Sequence, residues 1–235
     1  MKKRDFFKGM LHGVPICLGY LAVSFSFGIF AVAQGLSILE TVMISLFNMT
    51  SAGQLAGVPI IACGGSLLEL ASTQLFINLR YALMSVSLSQ RLDGRVRLLD
   101  RVLIGFGVTD EVFAVSVSQP TEVSKQYMAG LILVPYLGWG GGTLLGAVAG
   151  NILPSIVTTA LGVAIYGMLI AIVVPPMRDH RPTALCVLLA VALSCAFRYL
   201  PFLSKVSDGF VIIICAVAAS ALLAVLRPVS QETES

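Results

Sequence analysis

The stretch Val14–Gln34, VPICLGYLAVSFSFGIFAVAQ, runs for 21 residues without a charge. At about 1.5 Å rise per residue, a helix of that length crosses the roughly 30 Å hydrocarbon core of a bilayer. Lys2, Lys3, Arg4 and Lys8 precede it, and Ala31-Val32-Ala33 has the look of a leader cleavage site. The apolar run is nevertheless longer than the ~7–15 residues of a leader core, and further apolar runs follow. It reads as a retained first membrane helix.

The remainder of the chain agrees. Of 235 residues, 57% are hydrophobic and 11% charged, and mean hydropathy is +0.93. A soluble domain carries about 25% charged residues, so these charges cannot coat a globular surface. The expectation is an all-α, polytopic integral membrane protein, a single membrane transport domain over residues 1–235. Its apolar segments lie at about 14–34, 41–63, 66–89, 103–119, 127–150, 156–176, 183–202 and 209–226. A soluble enzyme is excluded.

Charge placement bears on topology. Basic residues gather at Lys2–Lys8, at Arg91, Arg95, Arg97 and Arg101, and at Arg178 and Arg181. Cytoplasmic loops carry the excess of Lys and Arg, which puts the N-terminus inside. Eight spans would leave the Arg91–Arg101 loop outside. Six spans, with 41–63 and 103–119 each broken or re-entrant, return that loop and both termini to the cytoplasm. The second segment holds Asn48, Thr50, Ser51, Gly53, Gln54, Gly57 and Pro59; the fourth holds Gly105, Gly107, Thr109, Asp110 and Glu111. Irregular backbone at membrane depth is tolerated where it lines a cavity, and transporters place substrate between such half-helices. The plain alternative is two ordinary spans with buried polar residues.

Intramembrane charges cost about 2.5–3.5 kcal/mol each on insertion scales, so each asks for a reason. Glu69 and Arg80 share a face of the third segment but stand roughly 16 Å apart along its axis. Arg80 therefore needs another partner, and Asp110 or Glu111 is the candidate. Such a cluster suits binding of a zwitterion or coupling to a proton gradient; a structural ion pair is the competing account. Glu69 and Arg198 lie near segment ends, where reaching the headgroups explains them.

Gly138, Gly142, Gly146 and Gly150 repeat G-x-x-x-G in register, with Trp139 beside the first. That pattern lets another backbone approach closely without saying whose. Cys17, Cys63, Cys186, Cys195 and Cys215 form no C-x-x-C, and His12 and His180 sit far apart. No metal site, cofactor or nucleic-acid surface is expected, and no hydrolase or nucleotide motif occurs. An intramembrane hydrolase built on Asp110 would need a second catalytic aspartate, and none is evident.

The motifs resemble those of the AzlC-type branched-chain amino-acid export permeases. The likeness rests on PICLGY with FSFG (Pro15 to Gly28), SAGQ (Ser51 to Gln54), NLRY (Asn78 to Tyr81) and TDEVFA (Thr109 to Ala114). Trp139 with Gly142, Thr143 and Gly146, and VPPMR (Val174 to Arg178), complete it. The family commonly has His where Tyr81 stands and often an Asp near Gly162. The resemblance implies export of branched-chain amino acids, a small multi-span AzlD-type partner subunit, and a bacterial cytoplasmic membrane.

On that reading Arg80, or the positive end of a half-helix, holds the substrate carboxylate. Asp110 or Glu111 holds the ammonium or carries a proton. Ser51, Gln54, Asn78 and Thr109 complete the expected substrate-binding or coupling set. The opposing reading is a non-transporting assembly or regulatory subunit, and a variant of the first is export of a different small zwitterion.

Overall fold

The computed structural model describes residues 2–153, 180–200 and 206–226, with isolated positions between them (167, 170, 173–175, 177, 178 and 202). The sixth apolar segment, 156–176, and Gly162 lie largely outside the described residues. Among those described, the elements are α1 (Lys2–Ala33), α2 (Ile38–Phe47), α3 (Ser51–Ala62), α4 (Leu67–Arg91), α5 (Leu98–Phe106), α6 (Asp110–Val117), α7 (Lys125–Ile152), α8 (Arg181–Tyr199) and α9 (Asp208–Leu226). The only β pairing among them is an isolated bridge, Leu92 with Val123. The all-α membrane class holds. Four helices, α1, α7, α8 and α9, are long and apolar enough to cross a bilayer. α4 has 25 residues, long enough to cross, but carries Glu69, Arg80 and a polar stripe.

The second and fourth apolar segments are both broken. α2 gives way to α3 at Asn48–Thr50, and α5 to α6 at Gly107–Thr109. The paths of both follow from the helices around them.

α1 and α7 run parallel. Their contacts advance in step: Gly9 lies on Tyr127, Gly13 on Leu131, Cys17 on Gly138, Leu21 on Gly142, Phe25 on Gly146 and Ile29 on Gly150. A Cβ on Gly142 would stand 2.6 Å from the Leu21 carbonyl oxygen, and one on Gly138 would stand 3.0 Å from that of Cys17. A Cβ on Gly146 would collide with the Phe25 carbonyl. Gly150 is looser, at 3.4 Å from the Ile29 Cα. The glycine ladder thus meets α1 of the same chain.

α4 runs the other way. Its last residue, Arg91, accepts a hydrogen bond at its carbonyl from the Val123 N–H (2.9 Å), and Asp93 N–H donates to the Val123 carbonyl (3.1 Å). The end of α4 therefore sits beside the start of α7, and so beside the start of α1. Lys8 Nζ donates to Gln119 Oε1 (3.1 Å), Arg101 donates to the Ser89 carbonyl (2.7 Å), and Lys125 pairs with Asp100 (3.0 Å). The loop carrying Arg91 to Arg101 thus lies at the same end of the bundle as Lys3, Arg4 and Lys8. This basic end is what the six-span reading requires.

Both broken segments now resolve as hairpins. α5 leaves the basic end, turns at Gly107–Thr109 level with Tyr20, and α6 returns to it, where Arg91 donates to the Val117 carbonyl (3.2 Å). α2 starts at the far end behind a Ser37–Glu40 capping box. It descends along α7, with Ser45 meeting Thr143 and the Leu46 carbonyl accepting from Tyr136 Oη (3.1 Å). α3 climbs back antiparallel to α4, Gly53 beside Asn78 and Gly57 beside Gln74 and Leu70. Gly64, at φ +68°, supplies the left-handed residue that turns the chain from α3 into α4.

α1 with its following hairpin, and α4 with its own, therefore repeat one plan in opposite directions. The tips are alike in sequence too: Phe47-Asn48-Met49-Thr50 and Phe106-Gly107-Val108-Thr109. Met49 and Val108 both lie in the buried cluster that contains Tyr20, Leu131 and Trp139, so both tips reach the same apolar core.

Candidate functional site

Each tip presents its polar residues toward α4, which supplies a stripe at helical spacing: Glu69, Thr73, Gln74, Asn78, Arg80 and Tyr81. The α5–α6 tip engages it through charge. Arg80 Nη2 lies 3.0 Å from Asp110 Oδ2, with side chains 50% and 44% exposed. The same guanidinium donates to Tyr81 Oη (3.0 Å) and lies over the Tyr81 ring, 4.8 Å from its centre. The Tyr81 phenol thus both accepts from the arginine and stacks on it.

Asp110 and Glu111 open α6, where the helix dipole favours anions. They diverge, as adjacent helical residues must. Glu111 turns to α1, its Oε2 2.5 Å from Tyr20 Oη, and that hydroxyl lies 2.6 Å from Thr109 Oγ1. Thr109 in turn caps α6 by accepting from the Val112 N–H (3.3 Å). Tyr20 packs edge-on against Trp139, ring centres 5.2 Å apart.

The α2–α3 tip engages α4 through amides. Asn48 Nδ2 donates to Gln74 Oε1 (2.9 Å), Gln74 Nε2 donates to the Gly53 carbonyl (2.8 Å), and Asn78 Nδ2 donates to Gln74 Oε1 (3.2 Å). Thr50 spends its hydroxyl on Asn48 Oδ1 (2.9 Å) and leaves the start of α3 without a side-chain cap. On the other side of the tip, Gln54 Nε2 donates to Ser45 Oγ (2.8 Å), which meets Thr143 Oγ1 (2.7 Å), which donates to the Trp139 carbonyl (2.9 Å). Gln54 Oε1, Asn78 Oδ1, Thr73 Oγ1 and Trp139 Nε1 are buried without a partner among the described residues. Buried polar groups are nearly always paired, so these atoms hold hydrogen-bonding capacity not used among the described residues; Thr73 lies apart from the tips, beside Glu69 and Gly209.

Of the residues expected from sequence, the structure brings Arg80, Asp110, Glu111, Thr109, Asn78 and Gln54 to the two tips. Ser51 opens α3 and joins neither network. Two participants were missed. Gln74 carried a signal, since it lies one turn before Asn78 on the same face. Tyr20 carried none beyond its motif. Glu69 differs from expectation: it is 8% exposed and accepts from the Gly209 N–H at the start of α9 (3.1 Å). It pins two helices rather than reaching toward headgroups.

A family model described as AzlC protein matches residues 15–153, which is α1 through α7, both hairpins included. The chain belongs to the AzlC family. An uncharacterized membrane protein of Archaeoglobus fulgidus is 34% identical over 185 residues, 78% of this chain and 81% of that one. The inner membrane protein YgaZ of Escherichia coli is 33% identical over 62% of this chain and 61% of its own length. An uncharacterized membrane protein of Helicobacter pylori is 27% identical over 60% and 62% respectively. The match thus spans about three fifths of the last two relatives. No solved structure matches. This AzlC-family protein is a helical membrane protein whose shared region is the double-hairpin bundle.

Proposed function

We propose that this AzlC-family protein is a secondary transporter that exports branched-chain or other hydrophobic amino acids in exchange for protons. One observation carries the reading. Two re-entrant hairpins enter from opposite ends, and their tips reach one buried cluster and both engage α4, one of them through an arginine–aspartate pair with a second carboxylate beside it. Inverted elements with broken helices at mid-depth are the architecture of alternating access. A zwitterion finds both charges it needs there: the Arg80 guanidinium for its carboxylate, and Asp110 or Glu111 for its ammonium. Gln54, Asn78 and Gln74 offer amide hydrogen bonds, and Met49, Val108 and Trp139 offer apolar wall. The basic end faces the cytoplasm of a bacterial cell under the positive-inside rule, with both termini on that side.

A small AzlD-type membrane subunit completes the assembly. Arg80 is half exposed in the middle of α4, among outward Leu75, Leu79 and Leu83. Hydrocarbon is a poor neighbour for a guanidinium. A water-filled cavity closed off by a second chain is a good one.

The test is uptake of radiolabelled leucine, valine and methionine into inverted vesicles holding this chain with and without that partner, under an imposed proton gradient. Gradient-dependent accumulation supports the exporter. Folded protein that moves none of the three with the partner present points to the non-transporting role.

A further inference from the structure

The two carboxylates at the α5–α6 tip have different company, and the difference assigns them different work. Asp110 faces Arg80, a cation that keeps its charge at any accessible pH. Protonating Asp110 would take from that guanidinium the one carboxylate it meets among the described residues, at 3.0 Å. Glu111 faces hydroxyls. When it is ionised, Tyr20 donates to it, and Thr109, whose oxygen already accepts from Val112, donates to Tyr20. When Glu111 is protonated, its own O–H donates to Tyr20, and Tyr20 turns its proton toward Thr109 Oγ1. The same three groups at the same distances, 2.5 and 2.6 Å, serve both charge states with the chain of donors reversed.

We infer that Glu111, and not Asp110, carries the coupling proton, and that Tyr20 is the positioning residue that lets it do so without undocking the α5–α6 tip from α1. This rests on the exporter reading for its biological use, but not for its chemistry. The step is a bare proton exchange: Glu111 takes a proton from water reaching the tip from one end of the bundle and returns it to water at the other. Asp110 stays the anion of Arg80 throughout. The groups facing Glu111 are Tyr20 from α1, Arg80 and Tyr81 from α4, and Asp110 and Thr109 beside it in its own hairpin. α7 contributes the uncharged Trp139, which seats the Tyr20 ring.

The deciding measurement is infrared difference spectroscopy across a pH titration of the purified full chain. It follows the carbonyl band of a protonated carboxylic acid in wild type, Glu111→Gln, Asp110→Asn and Tyr20→Phe. Tyr20→Phe keeps the ring on Trp139 and removes only the hydroxyl. The carboxylic-acid band is expected to vanish in Glu111→Gln, to persist in Asp110→Asn, and to change frequency in Tyr20→Phe, where the hydrogen bond to Tyr20 is gone. A band that survives Glu111→Gln and disappears in Asp110→Asn overturns the assignment. A band whose frequency is unmoved by Tyr20→Phe overturns the role of the tyrosine.

Vesicle transport then separates this from the broader reading. Glu111→Gln should fail to accumulate labelled leucine against a gradient, and whatever exchange it keeps should no longer respond to the proton gradient. In Asp110→Asn whatever transport remains should still respond to it. Wild-type protein that shows the Glu111 band but moves no amino acid would sink the exporter and leave the proton site standing.

Discussion

Arg80 on α4 and Asp110 at the first turn of α6 meet at 3.0 Å where the α5–α6 hairpin reverses, each side chain about half exposed. A pair so open contributes on the order of 0–1 kcal/mol to stability. Its placement where the α5–α6 tip engages α4 matters more. Arg80→Ala and Asp110→Asn are expected to express, purify and melt close to wild type while amino-acid export falls at least tenfold. Thermal melts in detergent beside vesicle transport check this. A variant that unfolds outright would make the pair a structural lock.

The hairpin paths make a prediction about sidedness. Gly94 lies in the basic-end loop with open space around it, while native Cys63 is exposed at the far end, after α3. A membrane-impermeant maleimide should label Gly94→Cys from one side of the bilayer and Cys63 from the other. Labelling of both from one side would break the re-entrant arrangement.

The α1–α7 seam should be intolerant of added volume. Gly146→Ala drives a methyl group into the Phe25 backbone, which cannot rotate away. A loss of about 1–3 kcal/mol, toward the upper end, is expected. Gly141, on the same helix with nothing within 4 Å of a new Cβ, is the control. Gly141→Ala should be neutral or stabilising by about 0.5–1 kcal/mol through helix propensity. Paired melting curves test the contrast.

Glu69 ties α4 to the first turn of α9. Removing a buried hydrogen bond to a charged group costs about 1.5–3 kcal/mol, and here the cost falls on docking of α9 in particular. Cys215, 6% exposed on that helix, is a ready reporter. Its modification by a small thiol reagent should quicken in Glu69→Ala, with Cys63 and Cys195 unchanged.

At the basic end, a hydrogen bond from Lys125 holds the Asp100 carboxyl below the usual carboxylate range, helped by the Arg97 N–H. A depressed carboxylate contributes stability above its unfolded value, roughly 3.9, and loses it as pH falls through the lower folded value. The Lys125→Met protein should show a shallower decline of melting temperature on acidification over that window. Because Lys125 is about half exposed at this end of the bundle, the difference will be small.

Much of this arrangement could be read from residues alone, and the parts that could not have physical reasons. The breaks at Asn48–Thr50 and Gly107–Thr109 were legible because glycine, proline and amide side chains interrupt otherwise apolar runs. Re-entry followed from the one loop, Arg91–Arg101, that would otherwise face the wrong way. That Arg80 needs Asp110 or Glu111 followed from the cost of an unpartnered guanidinium in lipid, but adjacent residues on a helix left the choice between them open until the structure gave Asp110. Tyr20 was not legible, because a tyrosine in an aromatic-rich helix looks like any other wall residue until its hydroxyl is placed. The α7 glycines announced a close neighbour but not α1, whose matching Gly9 and Gly13 lie before the apolar stretch begins. α1 starts at Lys2, so its contact face runs well past the part that hydrophobicity marks.

α1 is the first of these helices to leave the ribosome, and α7, its partner, is made only after both hairpins and α4. Domains assemble in the order of synthesis where they can; here the first helix must wait in the bilayer with its α7-packing face uncovered until the chain has grown to Gly150. When the seam finally zips, it does so beside two hairpins that are already made. A nascent chain stalled before Lys125 would leave Ser45 without Thr143 and the Tyr20 ring without Trp139.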